Sequence, residues 1–247
     1  MKLVYPMRAD GLFILKNNDY EQIAKDFLQK YDDRVLREAK ALDIVDFAES
    51  LDLVIDDNVY ITDDYSILGM IAFDEYVKEC FDYAMRPKNI ELGQGQVLID
   101  ARLNARMSYA RKRFTIAHET GHWITQRTYH SPTNQRFEYR KPVVECRQEN
   151  VERYGQGSKR DWIETQADKM GAALLMPKEP FSDVVETMIK HSGLCYDCLI
   201  VGESKERSRE IITDVSEIFE VSKKAAQIRM RQLGFIKTQE EYDRLTK

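Results

Sequence analysis

The chain has 247 residues and a mass of 29.0 kDa, enough for one large domain or two small ones around a real hydrophobic core. Apolar residues make up 43% and charged residues 32%, and mean hydropathy is -0.53, which excludes disordered, collagenous and membrane-spanning classes. The net charge of -5 conceals a split: residues 1–100 carry 11 Lys+Arg and 21 Asp+Glu (net -10), residues 101–160 carry 13 and 5 (net +8), and the rest 13 and 16 (net -3). The basic residues form no dense run. Mutual neutralisation of the two segments is therefore favoured over a surface that steers nucleic acid or an acidic partner. The N-terminus lacks the apolar stretch of a signal peptide, and four cysteines do not make a disulfide scaffold. A reducing cytoplasm is the expected location.

Residues 19–31 carry apolar side chains at Tyr20, Ile23, Ala24, Phe27 and Leu28, a helical stripe. Residues 41–51 read as a second helix. A strand is expected at 53–55, followed by a turn at Asp56, Asp57 and Asn58. Further strands are expected at 67–73 and 96–101, then a long helix over 109–126. The polar stretch 131–160 reads as a loop or insertion with a short strand near 142–146. Helices are expected over 161–176, ended by Pro177, and over 180–191. Residues 192–208 read as a linker, and helices over 209–220 and 223–233 close the chain. Helices around a small sheet give an α+β fold, with one domain over 1–191 and a linker plus C-terminal helical region over 192–247.

The stretch Phe114 to Trp123 (FTIAHETGHW) holds H-E-x-x-H on the long helix. Residues four apart share a helix face, so His118 and His122 can offer imidazole nitrogens to one zinc ion. Glu119 then reaches a water on the metal, the placement of a general base. Only four histidines occur in the chain, so the spacing does not come from a His-rich background. Gly121 leaves room for close approach.

A hydrolytic zinc keeps three protein ligands and an open position. His130, His191, Glu138, Glu145, Glu149, Glu152, Glu164 and Asp168 are candidates for the third. Glu164 and Asp168 lie four apart beside the apolar stripe Ile163, Ala167, Met170 and Leu174. Two inward carboxylates are costly unless they meet a cation or donors. Glu164 is therefore assigned as third ligand, and Asp168 as the acceptor of a histidine N–H, expected from His118.

FTIAHETGHW, followed by Glu164-Thr165-Gln166-Ala167-Asp168 and Leu174-Leu175-Met176-Pro177, resembles the ImmA/IrrE family of metallopeptidases. Gly69-Met70-Ile71, Ile99 to Leu103 and Val221 to Arg229 resemble further segments of that family, and the likeness runs from about Tyr20 to Ile236. It implies a zincin-like domain, a small sheet with metal-binding core helices. It also implies cleavage of helix-turn-helix repressors that control mobile elements or stress genes. Residues 131–160 look longer than the family's compact connection, which would gate a cleft that they cover.

In the expected mechanism a substrate strand pairs with an edge strand formed by Gln96, Val97, Leu98, Ile99 and Asp100. Zinc, with manganese as the alternative ion, polarises the scissile carbonyl, and Glu119 moves the proton from water to the leaving amine. Tyr129, His130, Arg147 and Tyr154 are the open choices for an oxyanion donor. Cys195 and Cys198 form a C-x-x-C that reads as ordinary reduced cysteines rather than a metal or redox pair. The C-terminal helices, with Ser222 as cap and Gly234 as stop, resemble a helix-turn-helix. Residues 203–247 carry ten basic and nine acidic residues, so a helical pair that packs on the protease domain or docks a partner is favoured over direct DNA contact. The competing function is a metal-stabilised module that captures a repressor or DNA without cutting.

Overall fold

The computed structural model describes residues 3–130, 141–147, 159–194 and 196–245. Its helices are Asn17–Asp32 (α1), Ile44–Glu49 (α2), Tyr109–His130 (α3), Lys159–Leu175 (α4), Lys178–His191 (α5), Lys205–Ile218 (α6), Lys223–Gln232 (α7) and Gln239–Leu245 (α8). Its strands are Val54–Val59 (β1), Ile67–Ala72 (β2), Tyr76–Phe81 (β3), Pro87–Leu92 (β4), Gln96–Asp100 (β5), Val143–Arg147 (β6), Leu199–Ile200 (β7) and Ile236–Lys237 (β8). Helices and small sheets thus mix as α+β. Two compact units form, one from Met1–Ala24 with Asp43–Gly171, the other from Lys25–Leu42 with Ala172–Lys247. The domain boundary expected at 191 falls inside the second unit. No described helix is long and apolar enough to cross a membrane.

In the first unit a four-stranded sheet runs in the order β1-β5-β2-β6. β5 is parallel to β1 and antiparallel to β2, and β6 is antiparallel to β2. Side chains alternate between faces. Met70, Ala72, Leu98 and Val143 join Cys80 and Leu92 of the β3–β4 hairpin in one apolar core. The other face, with Gly69, Ile71, Val97 and Ile99, lies under α3. Both faces are covered, so β2 is buried along its whole length and reads as an uninterrupted apolar run.

The expected turn at 56–58 is strand instead. Its local chemistry survives as an Asx hydrogen bond from Asn58 N–H to Asp56 Oδ1 at 2.9 Å, where the β1–β5 register shifts. The β3–β4 hairpin falls where no strand is expected, because β4 opens on Pro-Lys-Asn, poor strand formers. Asp82 organises its turn, accepting from Ala84 N–H at 2.8 Å and Arg86 N–H at 3.0 Å. Lys112 of the basic middle segment pairs with Asp57 of the acidic N-terminal part, and within the unit Glu145 draws Lys78, Lys141 and Arg147.

In the second unit Phe181 of α5 packs on Phe219 at 5.2 Å between centroids, and Val185, Ile211, Val215 and Met230 are buried as well. Ser222 caps α7 by accepting from Ala225 N–H at 3.1 Å. Gly234 follows α7 at φ +86, a left-handed stop that a side chain would strain. Arg229 is buried and donates to the Met176 carbonyl through Nε at 3.1 Å and Nη2 at 2.9 Å. β7, β8 and α8 fall where no element is expected, since two-residue strands leave no periodic pattern.

Candidate metal centre

The H-E-x-x-H spacing on α3 brings the His118 and His122 rings together edge to face, with their Nε2 atoms 2.9 Å apart. Each ring's other nitrogen has an oxygen partner. His118 Nδ1 donates to Asp168 Oδ1 at 2.8 Å, and His122 Nδ1 donates to Gln126 Oε1 at 2.7 Å. Gln126 is itself oriented, because its Nε2 donates to the Ile163 carbonyl at 2.8 Å. These partners assign the N–H of both rings to Nδ1. Two Nε2 lone pairs therefore face one point and repel unless a proton or a cation lies between them. Burial alone would lower the His118 pKa, but Cys146, Asp168 and Glu164 raise it well above its ordinary value. Burial, with His118 nearby, holds His122 down to about 4, so its ring is a neutral donor at pH 7.

Glu164 of α4 completes the set. Its Oε2 is 3.3 Å from His118 Nε2, and its Oε1 is 3.8 Å from His122 Nε2. Donor atoms of His118, His122 and Glu164 all lie within 4.8 Å of one another. Two imidazoles and one carboxylate, all buried, fit a divalent ion with an open position.

Glycines let α3 and α4 approach this closely. A Cβ on Gly121 would meet the Ala167 carbonyl oxygen at 2.7 Å, and one on Gly171 would meet the His118 backbone nitrogen at 3.2 Å. Both neighbours are backbone and cannot swing aside. Gly121→Val should cost about 3 kcal/mol by overpacking and draw Glu164 away from the histidines. Urea denaturation and metal titration check both effects; wild-type values for each would show that the helices can part freely.

Glu119 is fully buried, and neither carboxylate oxygen has a hydrogen-bond partner among the described residues. Burial pushes its carboxyl up to about 8. It lies over Gly69 of β2, where a Cβ would stand 2.9 Å from Glu119 Oε1. One of its oxygens lies within 4.8 Å of a His118 ring nitrogen and of the Cys146 sulfur.

The expected substrate strand Gln96–Asp100 requires correction. It is β5, an interior strand with β1 on one side and β2 on the other, so it has no free edge. Gln96 Oε1 accepts from Gly93 N–H, and Val97, Leu98 and Ile99 are core. Asp100 is buried and accepts from Ile61 N–H at 2.9 Å and Arg102 N–H at 3.0 Å. Among the described residues the sheet edges are β1 and β6.

Other candidates lie elsewhere. His130 stacks on Phe73 at 4.3 Å, with Tyr129 edge-on to it, and His191 Nδ1 meets the Thr187 carbonyl. Glu145 is held by three cations, Arg147 among them. Glu138, Glu149, Glu152, Tyr154, Cys195 and most of the 131–160 stretch lie outside the described residues.

Sequence reasoning misses Gln126, although its i+4 spacing from His122 on one helix was a signal for it. Gln126→Leu should weaken metal binding about 10–100-fold by freeing the His122 ring, whereas Gln126→Glu keeps the acceptor. Competition with a chelator reads the difference, and equal affinity in the leucine variant would remove Gln126 from the site.

Comparison with known proteins agrees with this geometry. The peptidase family described as the IrrE N-terminal-like domain matches residues 101–231, which is 131 of the 247 residues. That span carries α3, β6, α4 and all four residues of the centre. None of the curated proteins matches the chain. A metal-ready cluster within a match over more than half of its length leads to one conclusion: the chain belongs to the IrrE N-terminal-like family of metallopeptidases.

Proposed function

We propose that this chain is a zinc-dependent endopeptidase that cleaves a regulatory protein, with a helix-turn-helix repressor as the substrate class that the ImmA/IrrE resemblance implies. The observation that carries the reading is Glu119. A capture module needs the three ligands only. A fourth, fully buried carboxylate with no hydrogen-bond partner among the described residues costs stability, and a role in the chemistry accounts for its presence.

His118, His122 and Glu164 would hold the ion, and zinc suits two nitrogens and one carboxylate better than manganese does. The ion supplies polarisation of the scissile carbonyl and of the attacking water. Asp168 and Gln126 keep the two rings in the tautomer that faces it. Glu119 takes the water proton and delivers it to the leaving nitrogen. The substrate segment is assigned to the outer edge of β6, since β5 has none to offer. Direct DNA contact is the weaker reading, because Arg229, one of four basic residues of α7, is spent on the Met176 carbonyl.

The test compares new protein N-termini by mass spectrometry in host cells that express the wild type or Glu119→Gln. A new terminus inside a helix-turn-helix regulator, present only with the wild type, is the expected result. Matching samples under inducing and non-inducing conditions would move the reading to a non-cutting, metal-stabilised capture module.

A further inference from the structure

β2 carries one residue without a side chain, and it lies directly beneath the candidate base. Gly69 sits inside β2, paired with Ile99 of β5 and Cys146 of β6, and the β2–β6 register shifts beside it. Glycine inside a strand packs nothing and loses more backbone freedom on folding than alanine, at a cost of about 0.5–1 kcal/mol. Its φ lies outside the left-handed region, so backbone shape does not call for glycine here. Space does. A Cβ on Gly69 would stand 2.6 Å from Thr115 Cγ2 and 2.9 Å from Glu119 Oε1, both on α3, and 3.4 Å from Ile99 Cδ1. Gly121 and Gly171 differ, because the atoms nearest to theirs are backbone of the facing helix. Thr115 and Glu119 are four apart, so one face of α3 presents both to the sheet, and both are buried. Thr115 does not turn aside freely, since its Oγ1 donates to the Arg111 carbonyl at 3.0 Å.

We propose that Gly69 is a positioning residue for Glu119: its missing side chain is the seat that lets the Glu119 carboxylate lie against the sheet at the depth its work requires. The proposal rests on the reading of Glu119 as the general base. One end of that side chain is fixed by the turn of α3 that also carries His118 and His122. The other end has no hydrogen-bond partner among the described residues to hold it. Contact with the floor of the seat therefore sets where the carboxylate lies. Ordinary contact begins near 3.4 Å, so alanine at position 69 forces Oε1 to withdraw by about 0.5 Å. Catalytic groups must be held to within about 0.5 Å, and a misplacement of about 1 Å costs about 100-fold. The three atoms nearest to the added Cβ belong to Thr115, Glu119 and Ile99, and none is a metal ligand. The loss therefore falls on turnover and not on metal affinity.

The test compares the zinc-loaded full-length chain as wild type, Gly69→Ala, Thr115→Ser and the double variant Gly69→Ala/Thr115→Ser. Serine keeps the hydroxyl of Thr115 and removes the Cγ2 methyl, so the double variant drops the methyl clash and keeps the intrusion on Glu119. Stability in urea, zinc affinity against a chelator, and kcat and KM on the regulator whose new terminus identifies it in cells are measured on all four. Gly69→Ala and the double variant should lose about 10–100-fold in kcat, with KM and zinc affinity within about twofold of the wild type. Thr115→Ser should keep the wild-type kcat. The stability that Gly69→Ala loses should return in the double variant while its turnover does not. A crystal structure of the zinc-loaded double variant should show the Glu119 carboxylate displaced by at least about 0.5 Å, with His118, His122 and Glu164 in place. A kcat that returns together with stability, or a carboxylate that has not moved, overturns the proposal and leaves Glu119 as the base. Failure of the double variant to fold also overturns it, since the glycine then serves the fold and not the base. A wild type that releases no new terminus overturns the reading of Glu119, and the proposal with it.

Discussion

Glu119→Gln should lower peptide-bond hydrolysis by about 10²–10⁴-fold and leave metal affinity at the wild-type value. The carboxamide matches the carboxylate in size and fills the same space above Gly69, but it cannot accept the proton of the attacking water. Folding should not suffer. Burial already disfavours the Glu119 charge, pushing its carboxyl up to about 8, so a neutral side chain removes a cost rather than adding one. The purified pair is compared by the rate at which the new terminus appears in the regulator identified in cells, with zinc content measured on the same samples. Full occupancy with lost turnover separates base from ligand. Turnover equal to the wild type would place the base on another residue.

How much of this was legible beforehand depends on how local each feature is. H-E-x-x-H is a property of five consecutive residues on one helix, and the structure brings His118 and His122 together as that spacing requires. The two carboxylates of α4 were also legible, since four-residue spacing beside an apolar stripe shows them turned inward. Edge position was not. Whether β5 is an edge depends on β1, which pairs with it in parallel across some forty residues of sequence. One hint was present: Val97, Leu98 and Ile99 run apolar without alternation, the pattern of a strand covered on both faces. Cys146 was beyond reach for the same reason. Its partner Gly69 is 77 positions away (146 - 69), and only the sheet register puts both against α3. The β3–β4 hairpin was hidden by composition, because its turn is held by the Asp82 side chain rather than by a glycine pair.

Removing the third donor should have the second large effect. Glu164→Ala leaves two imidazoles to hold the ion. Structural zinc sites with four ligands bind with roughly 10–16 kcal/mol, so one ligand is worth about 3 kcal/mol and its loss at least about 100-fold in affinity. Zinc at a hundred times the wild-type Kd should stabilise the wild type by about 2.7 kcal/mol, a rise of roughly 5–10 °C in Tm. At the same concentration the variant gains only about 0.4 kcal/mol. Asp168→Asn keeps all three ligands and loses only the carboxylate that orients His118, so it should fall between the two, with affinity down about 10–100-fold. That ordering is what ligand and orienting roles predict, and a general loss of packing would not produce it. If zinc raised the Tm of Glu164→Ala as much as that of the wild type, the third ligand would lie elsewhere. Glu138, Glu149 and Glu152, the acidic candidates of the sequence between α3 and α4 that lie outside the described residues, would then come first.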